Sequence, residues 1–149
     1  MSGLFSFIRE SNFIEGIHRE PTADEMNAAT RFMELFQVHA TTLGDFQSVF
    51  APGHPIRERE GMNVRVGDYI APSGGPGIVR SLQRICRRAN NGEDPWKVHL
   101  AFERLHPYLD GNGRTGRMLW AWMMHGQGKQ PFAIGFLHRF YYQTLAEAK

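Results

Sequence analysis

The chain has 149 residues, 42% hydrophobic and 21% charged, with a formal net charge of +2, which suits one ordinary folded domain spanning 1–149 and leaves little room for two. The single cysteine, Cys86, precludes an intrachain disulfide, so small stapled secreted scaffolds are excluded and a reducing, cytoplasmic setting is the expectation. Residues 1–10 lack an export-signal pattern, and no run approaches the roughly 18 apolar residues of a membrane helix. Seventeen Lys and Arg against fifteen Asp and Glu make too small an excess to mark a nucleic-acid surface. Neither membrane nor nucleic acid is expected as a partner.

Thr22 and Glu25 have capping-box spacing, and Met26, Ala29, Met33 and Phe36 recur at helical intervals, predicting a helix from about 23 to 38. No regular element is read over residues 39–60. Val64 and Val66 then alternate with polar residues, Gly67 and Asp68 can turn, and Tyr69 and Ile70 resume an extended pattern. This predicts one hairpin within about 61–71, lying on a helical body and offering a free edge to an extended segment of a partner.

Ile78, Leu82, Ile85 and Ala89 mark the next helix, which turns Arg80, Arg84, Arg87 and Arg88 outward as a solvated face and stops near Asn90, Asn91 and Gly92. Asp94 and Pro95 supply an N-cap and a first helical proline ahead of the stripe Val98, Ala101, Phe102 and Leu105. Pro107 ends that helix near His106. After a Gly-rich stretch, Met118, Leu119, Trp122 and Met123 predict a core helix ending near Gly126, and Phe136, Phe140, Tyr141 and Leu145 predict a last one. The remaining histidines read as surface or satisfied core groups. The architecture expected is mainly α with one hairpin.

Residues 106–117, HPYLDGNGRTGR, concentrate a base, a carboxylate, three glycines, an asparagine and two arginines between two apolar helices. Gly111, Asn112 and Gly113 free the backbone to turn its N–H groups into an anion-binding nest at a helix N-terminus. Arg114 and Arg117, three apart on the first turn, can reach the same anion with forked hydrogen bonds. Asp110 would be repelled by a bare phosphate unless a Mg²⁺ ion bridged them, so a nucleoside triphosphate with Mg²⁺ fits. His106, at the end of the preceding helix, is a side chain whose unperturbed pKa suits proton abstraction near neutrality. The pattern Gly111-x-Gly113-x-x-Gly116 is not a dinucleotide fingerprint, because a helix rather than a strand precedes it.

This stretch resembles the signature of the Fic family, His-x-Phe-x-Asp/Glu-Gly-Asn-Gly-Arg-x-x-Arg, with Tyr108 in place of the usual Phe. The upstream hairpin, Phe102 and Glu103 are similar to the same family's core. The resemblance implies a Fic-type helical bundle with a β-hairpin flap next to the active site, and transfer of AMP from ATP to a hydroxyl of a target protein. By that carry-over His106 is the base, Asp110 holds Mg²⁺, and Gly111, Asn112 and Gly113 cradle the phosphates, with the Asn112 side-chain amide as a further donor. Arg114 and Arg117 contact the β- and γ-phosphates. The flap residues Val64, Arg65, Val66, Gly67, Asp68 and Tyr69 clamp the target. Gly113, where related kinases carry Lys, favours AMP transfer.

Ser11, Glu15 and Gly16 in SNFIEG resemble the family's inhibitory motif, in a same-chain N-terminal helix within about 1–20. The resemblance implies that Glu15 pairs with Arg117 and denies it to the γ-phosphate, making a self-restrained nucleotidyltransferase. The expected partners are ATP and an unidentified hydroxyl-bearing protein, with self-modification one candidate. A Fic enzyme using another nucleotide, one acting mainly in AMP removal, and a non-catalytic phosphate or nucleic-acid binding module are the alternatives. The last has no use for a base at His106.

Overall fold

The computed structural model describes residues 3–133. In chain order it contains α1 (Leu4–Ile14), α2 (Ala23–Met33), α3 (Ala40–Phe50), β1 (Arg65–Val66), β2 (Tyr69–Ile70), α4 (Pro76–Asn90), α5 (Pro95–Leu105) and α6 (Asn112–Gly126). The fold is thus mainly helical with one small hairpin, as expected from the sequence. The helix predicted around Phe136 to Leu145 lies outside the described residues.

Helix α6 is the centre of the core. Met118, Leu119 and Ala121 are fully enclosed, and α1, α2, α3 and α5 pack around them, with α4 behind α5. The apolar stripe that the sequence shows on one side of α6 is therefore part of an almost continuous buried surface, which only a helix surrounded by others can have.

Several termini form for the reasons that the sequence supplies. The Thr22 hydroxyl accepts from the Glu25 amide at 3.1 Å while the Glu25 carboxylate accepts from the Thr22 amide at 2.9 Å, a reciprocal capping box. Asp94 Oδ1 accepts from the amides of Trp96 and Lys97, with Pro95 at the first helical position. The hairpin pairs Arg65 with Ile70 and Val66 with Tyr69. Of its two turn residues only Gly67 has positive φ, 59°, the pattern of a type II′ turn.

Two readings are corrected. The helix predicted over 23–38 ends at Met33, and Phe36, assigned to its buried stripe, is 93% exposed. The Asn90 carboxamide explains the stop. Its Nδ2 donates to the Val38 carbonyl and its Oδ1 accepts from the Val38 amide, both at 2.8 Å, so α4 captures a backbone that can no longer continue the helix. The unread segment 39–60 contains a full helix, α3. Leu43, Phe46 and Phe50 have buried helical spacing there, masked in the sequence by two threonines and Gly44, all poor helix formers.

Candidate active site

Helix α5 ends at His106, whose backbone takes the left-handed conformation, φ 50° and ψ 61°. Among the described residues it is the one non-glycine with positive φ, and such geometry costs roughly 1–2 kcal/mol. Pro107 removes the helical alternative. The loop that follows is braced from within. Asn112 Nδ2 donates to the Tyr108 carbonyl at 2.8 Å, and the Tyr108 amide donates to Asn112 Oδ1 at 2.9 Å. The Asn112 carboxamide, carried over as a phosphate donor, is thus engaged in holding the loop closed.

Tyr108 buries its ring beside Phe102. Among the described residues its hydroxyl finds no hydrogen-bond partner, and burial raises its pKa well above the usual phenol range.

The loop is also braced from outside. Gln47 of α3 donates to the carbonyl of Asp110 at 2.9 Å and to that of His54 at 2.7 Å. Residues 55–57 run antiparallel to it, with the Leu109 amide on the Pro55 carbonyl at 3.2 Å and the Arg57 amide on the Pro107 carbonyl at 2.8 Å. Gly111 caps α6 with φ 82°, and a Cβ there would meet Ala51 at 2.9 Å. Glycine is required on both counts.

No side chain caps α6, so the first amides of the helix remain directed at whatever sits over Gly111 and Asn112. Asp110 stands beside them with a side chain 59% exposed. Its Oδ1 accepts from the Gly111 amide at 2.8 Å, and its Oδ2 lies 4.0 Å from Arg114 Nη2. Among the described residues no group of three or more His, Cys, Asp or Glu could form a closed metal cage. One open carboxylate suits Mg²⁺ of the kind held by a single protein ligand together with substrate phosphates. Arg114 is buried, donates from Nη1 to the Phe50 carbonyl at 3.0 Å, and leaves its Nε without a partner.

Arg117 sits one turn further along α6 and is 2% exposed. Its Nε donates to Ser11 Oγ at 2.8 Å, and its Nη2 donates to the Ser11 carbonyl at 3.0 Å and to Glu15 Oε1 at 2.7 Å. Ser11 and Glu15 are four apart, so both face the same side of α1 and converge on one guanidinium. Gly16 has φ 78°. Its amide donates to the Phe13 carbonyl and that of Ile17 to the Asn12 carbonyl, the paired bonds of a Schellman end. The helix therefore stops directly after Glu15. Gly113 completes the contact, because a Cβ on it would collide with Glu15 Oε1 and lie 3.0 Å from Arg117 Nη1.

Burial lowers the His106 pKa below its ordinary 6.5, so the imidazole is neutral at pH 7. The Arg57 charge pushes the same way, while a hydrogen bond to the Glu103 backbone and the Glu15 and Asp110 carboxylates oppose it. Behind the loop, His99 is pushed down to about 3 by burial and its Nδ1 donates to the Gly116 carbonyl at 2.9 Å. Glu103, with Oε1 3.8 Å from His99 Nε2, is pushed up to about 8 by burial. A Cβ on Gly116 would collide with Glu103 Oε1.

The hairpin residues Arg65, Val66, Gly67, Asp68 and Tyr69 are exposed, with Val64 partly buried. They are tied to the site through Tyr69 Oη, which donates to the Arg104 carbonyl at 2.7 Å, two residues before His106. Sequence reasoning missed Gln47 and Arg57, whereas His99 is the satisfied core histidine expected and Glu103 was noted beside Phe102. Gln47 reaches the Asp110 carbonyl and Arg57 those of Leu105 and His106, backbone partners far along the chain that no short motif records.

The Fic/DOC family profile matches residues 30–124, more than half of the chain. The chain is also similar to the protein adenylyltransferase Fic of Culex quinquefasciatus, 32% identical over 125 residues covering 77% of this chain and 24% of that protein. The proteins of the same name from Drosophila ananassae and Drosophila melanogaster are 30% and 31% identical over 110 residues, covering 68% of this chain and 21% of theirs. The chain belongs to the Fic/DOC family of helical proteins. It spans about a quarter of the length of the Culex relative.

Proposed function

We propose that the protein transfers AMP from ATP to a hydroxyl side chain of another protein, and that Glu15 restrains this activity. The observation that carries the reading is the meeting, in one loop, of a neutral His106, the open Asp110 carboxylate and the uncapped N-terminus of α6. In this reading the helix amides at Asn112 and Gly113 receive the phosphates, joined by Arg114, while the Gly111 amide is held by Asp110 and its glycine lets the backbone turn there. A Mg²⁺ ion at Asp110 would neutralise phosphate charge. The His106 imidazole takes the proton of the target hydroxyl as its oxygen attacks the α-phosphorus, the bond to the β-phosphate breaks, and pyrophosphate leaves. The exposed edge of the hairpin offers backbone groups to an extended target segment. Arg117 is occupied by Glu15 and so withheld from the γ-phosphate.

The test is incubation of wild type, Glu15→Gly and Glu15→Gly/His106→Ala with Mg²⁺ and ATP labelled at the α-phosphate, in lysate, followed by gel autoradiography. Label on protein is expected chiefly with the single variant and none with the double. Label independent of His106 would overturn the catalytic assignment. No label in any lane, with ATP still bound, would turn the reading toward another nucleotide or AMP removal.

A further inference from the structure

Arg57 is wholly buried, 0% exposed, and among the described residues no carboxylate pairs with it. Every hydrogen bond of its side chain goes to a backbone carbonyl. Nε donates to His106 at 2.7 Å and Nη2 to Leu105 at 2.8 Å, while Nη1 donates to Met62 at 3.0 Å and to Pro72 at 2.8 Å. Its own carbonyl accepts from the Gly75 amide at 2.9 Å.

Burying a guanidinium without a counter-ion is costly, so what it binds must compensate. The Leu105 and His106 carbonyls lie at the C-terminal end of α5, where carbonyls lack helical partners and the helix dipole is negative. Met62 and Pro72 bracket the hairpin, one on each side of β1 and β2. One rigid planar fork therefore joins both stems of the hairpin to the end of α5 and to the one strained non-glycine residue among those described.

We propose that Arg57 is a positioning residue: it holds His106 in its left-handed conformation and locks the hairpin to it, so that base and target-docking strand keep a fixed relation. The part concerning catalysis rests on the AMP-transfer reading; the mechanical part does not. The groups facing His106 are Arg57, the Glu103 carbonyl and the Glu15 and Asp110 carboxylates. Removal of the cation alone leaves groups that favour protonated His106, so its titration midpoint must rise.

Arg57→Lys and Arg57→Met are compared with wild type by hydrogen exchange of the hairpin amides and by NMR titration of the His106 imidazole, assigned by its loss in His106→Ala. Neither readout needs turnover, so a failed labelling experiment and a failed proposal are distinguishable. The Ala71 amide, which donates to the Val64 carbonyl across the hairpin, is the reporter. Both variants are expected to speed its exchange at least tenfold while protection of the α6 core amides is retained. Arg57→Met, and not Arg57→Lys, is expected to raise the His106 midpoint. If Arg57→Met fails to fold, Arg57→Lys decides on hairpin exchange. Unchanged hairpin exchange, an unmoved His106 midpoint in folded Arg57→Met, or global unfolding of Arg57→Lys would each overturn the proposal.

Discussion

Replacing Glu15 by Gly removes one charged acceptor from Arg117 and leaves the two bonds to Ser11 in place. A hydrogen bond between charged partners contributes about 1.5–3 kcal/mol. Glu15 is 36% exposed on its side chain, so water screens it and the lower part of that range applies, about 1.5–2 kcal/mol. If this contact is what ATP must displace to bind productively, its loss raises AMP transfer about ten- to thirtyfold at subsaturating ATP. The assay is the initial rate of protein labelling from α-labelled ATP, with the thermal midpoint measured alongside. The same loss should lower that midpoint by about 3–8 °C while leaving the variant folded. Labelling within twofold of wild type, from a folded variant, would refute the inhibitory role.

Gly113→Ala places a methyl group against Glu15 and Arg117, so it should raise labelling roughly fivefold alone and give no such gain in the Glu15→Gly background; equal effects in both backgrounds would show that the two residues do not communicate. Tyr108→Phe removes a buried hydroxyl without a partner and is expected to stabilise the fold by about 1 kcal/mol, seen as a thermal midpoint about 2–4 °C higher. His99, lowered from 6.5 to about 3, stabilises the folded state above pH 6.5 and loses that contribution as pH falls toward 3. Glu103, raised from 4.5 to about 8, stabilises below pH 4.5 and loses its contribution as pH rises to about 8. Between 4.5 and 6.5 the two slopes cancel, so Glu103→Gln should abolish the alkaline decline between pH 6.5 and 8 in thermal midpoints taken across the range.

The helix ends were legible where a side chain caps its own neighbours, as at Thr22 and Asp94, because such bonds span two or three residues. The end of α2 was not legible, because Asn90, more than fifty residues away, makes it. Missing α3 also hid why Arg114 is anchored, since the carbonyl that it meets belongs to Phe50. The motif at 106–117 lies, as the sequence suggested, in one loop and the helix start after it. What it did not announce is that the Asn112 carboxamide serves the loop, and that Gln47 and Arg57 support it from outside. Ser11 and Glu15 were legible as a pair, and the structure adds that the glycine after them ends the helix on cue.

The inner face of α1 is ordinary core: Leu4, Phe7 and Ile8 are buried among the other helices, and Asn12 reaches Glu25 of α2. At roughly 1.5–3 kcal/mol for each apolar side chain, those three contribute about 5–9 kcal/mol, comparable with the whole stability of many domains. Under the proposed restraint, release is therefore cheap only if Glu15 swings aside while its helix stays seated. A protease or a truncation that strips α1 would remove part of the core along with Glu15. It would expose an apolar trench along α2 and α6, and the product would meet the cell's quality control before it met a substrate.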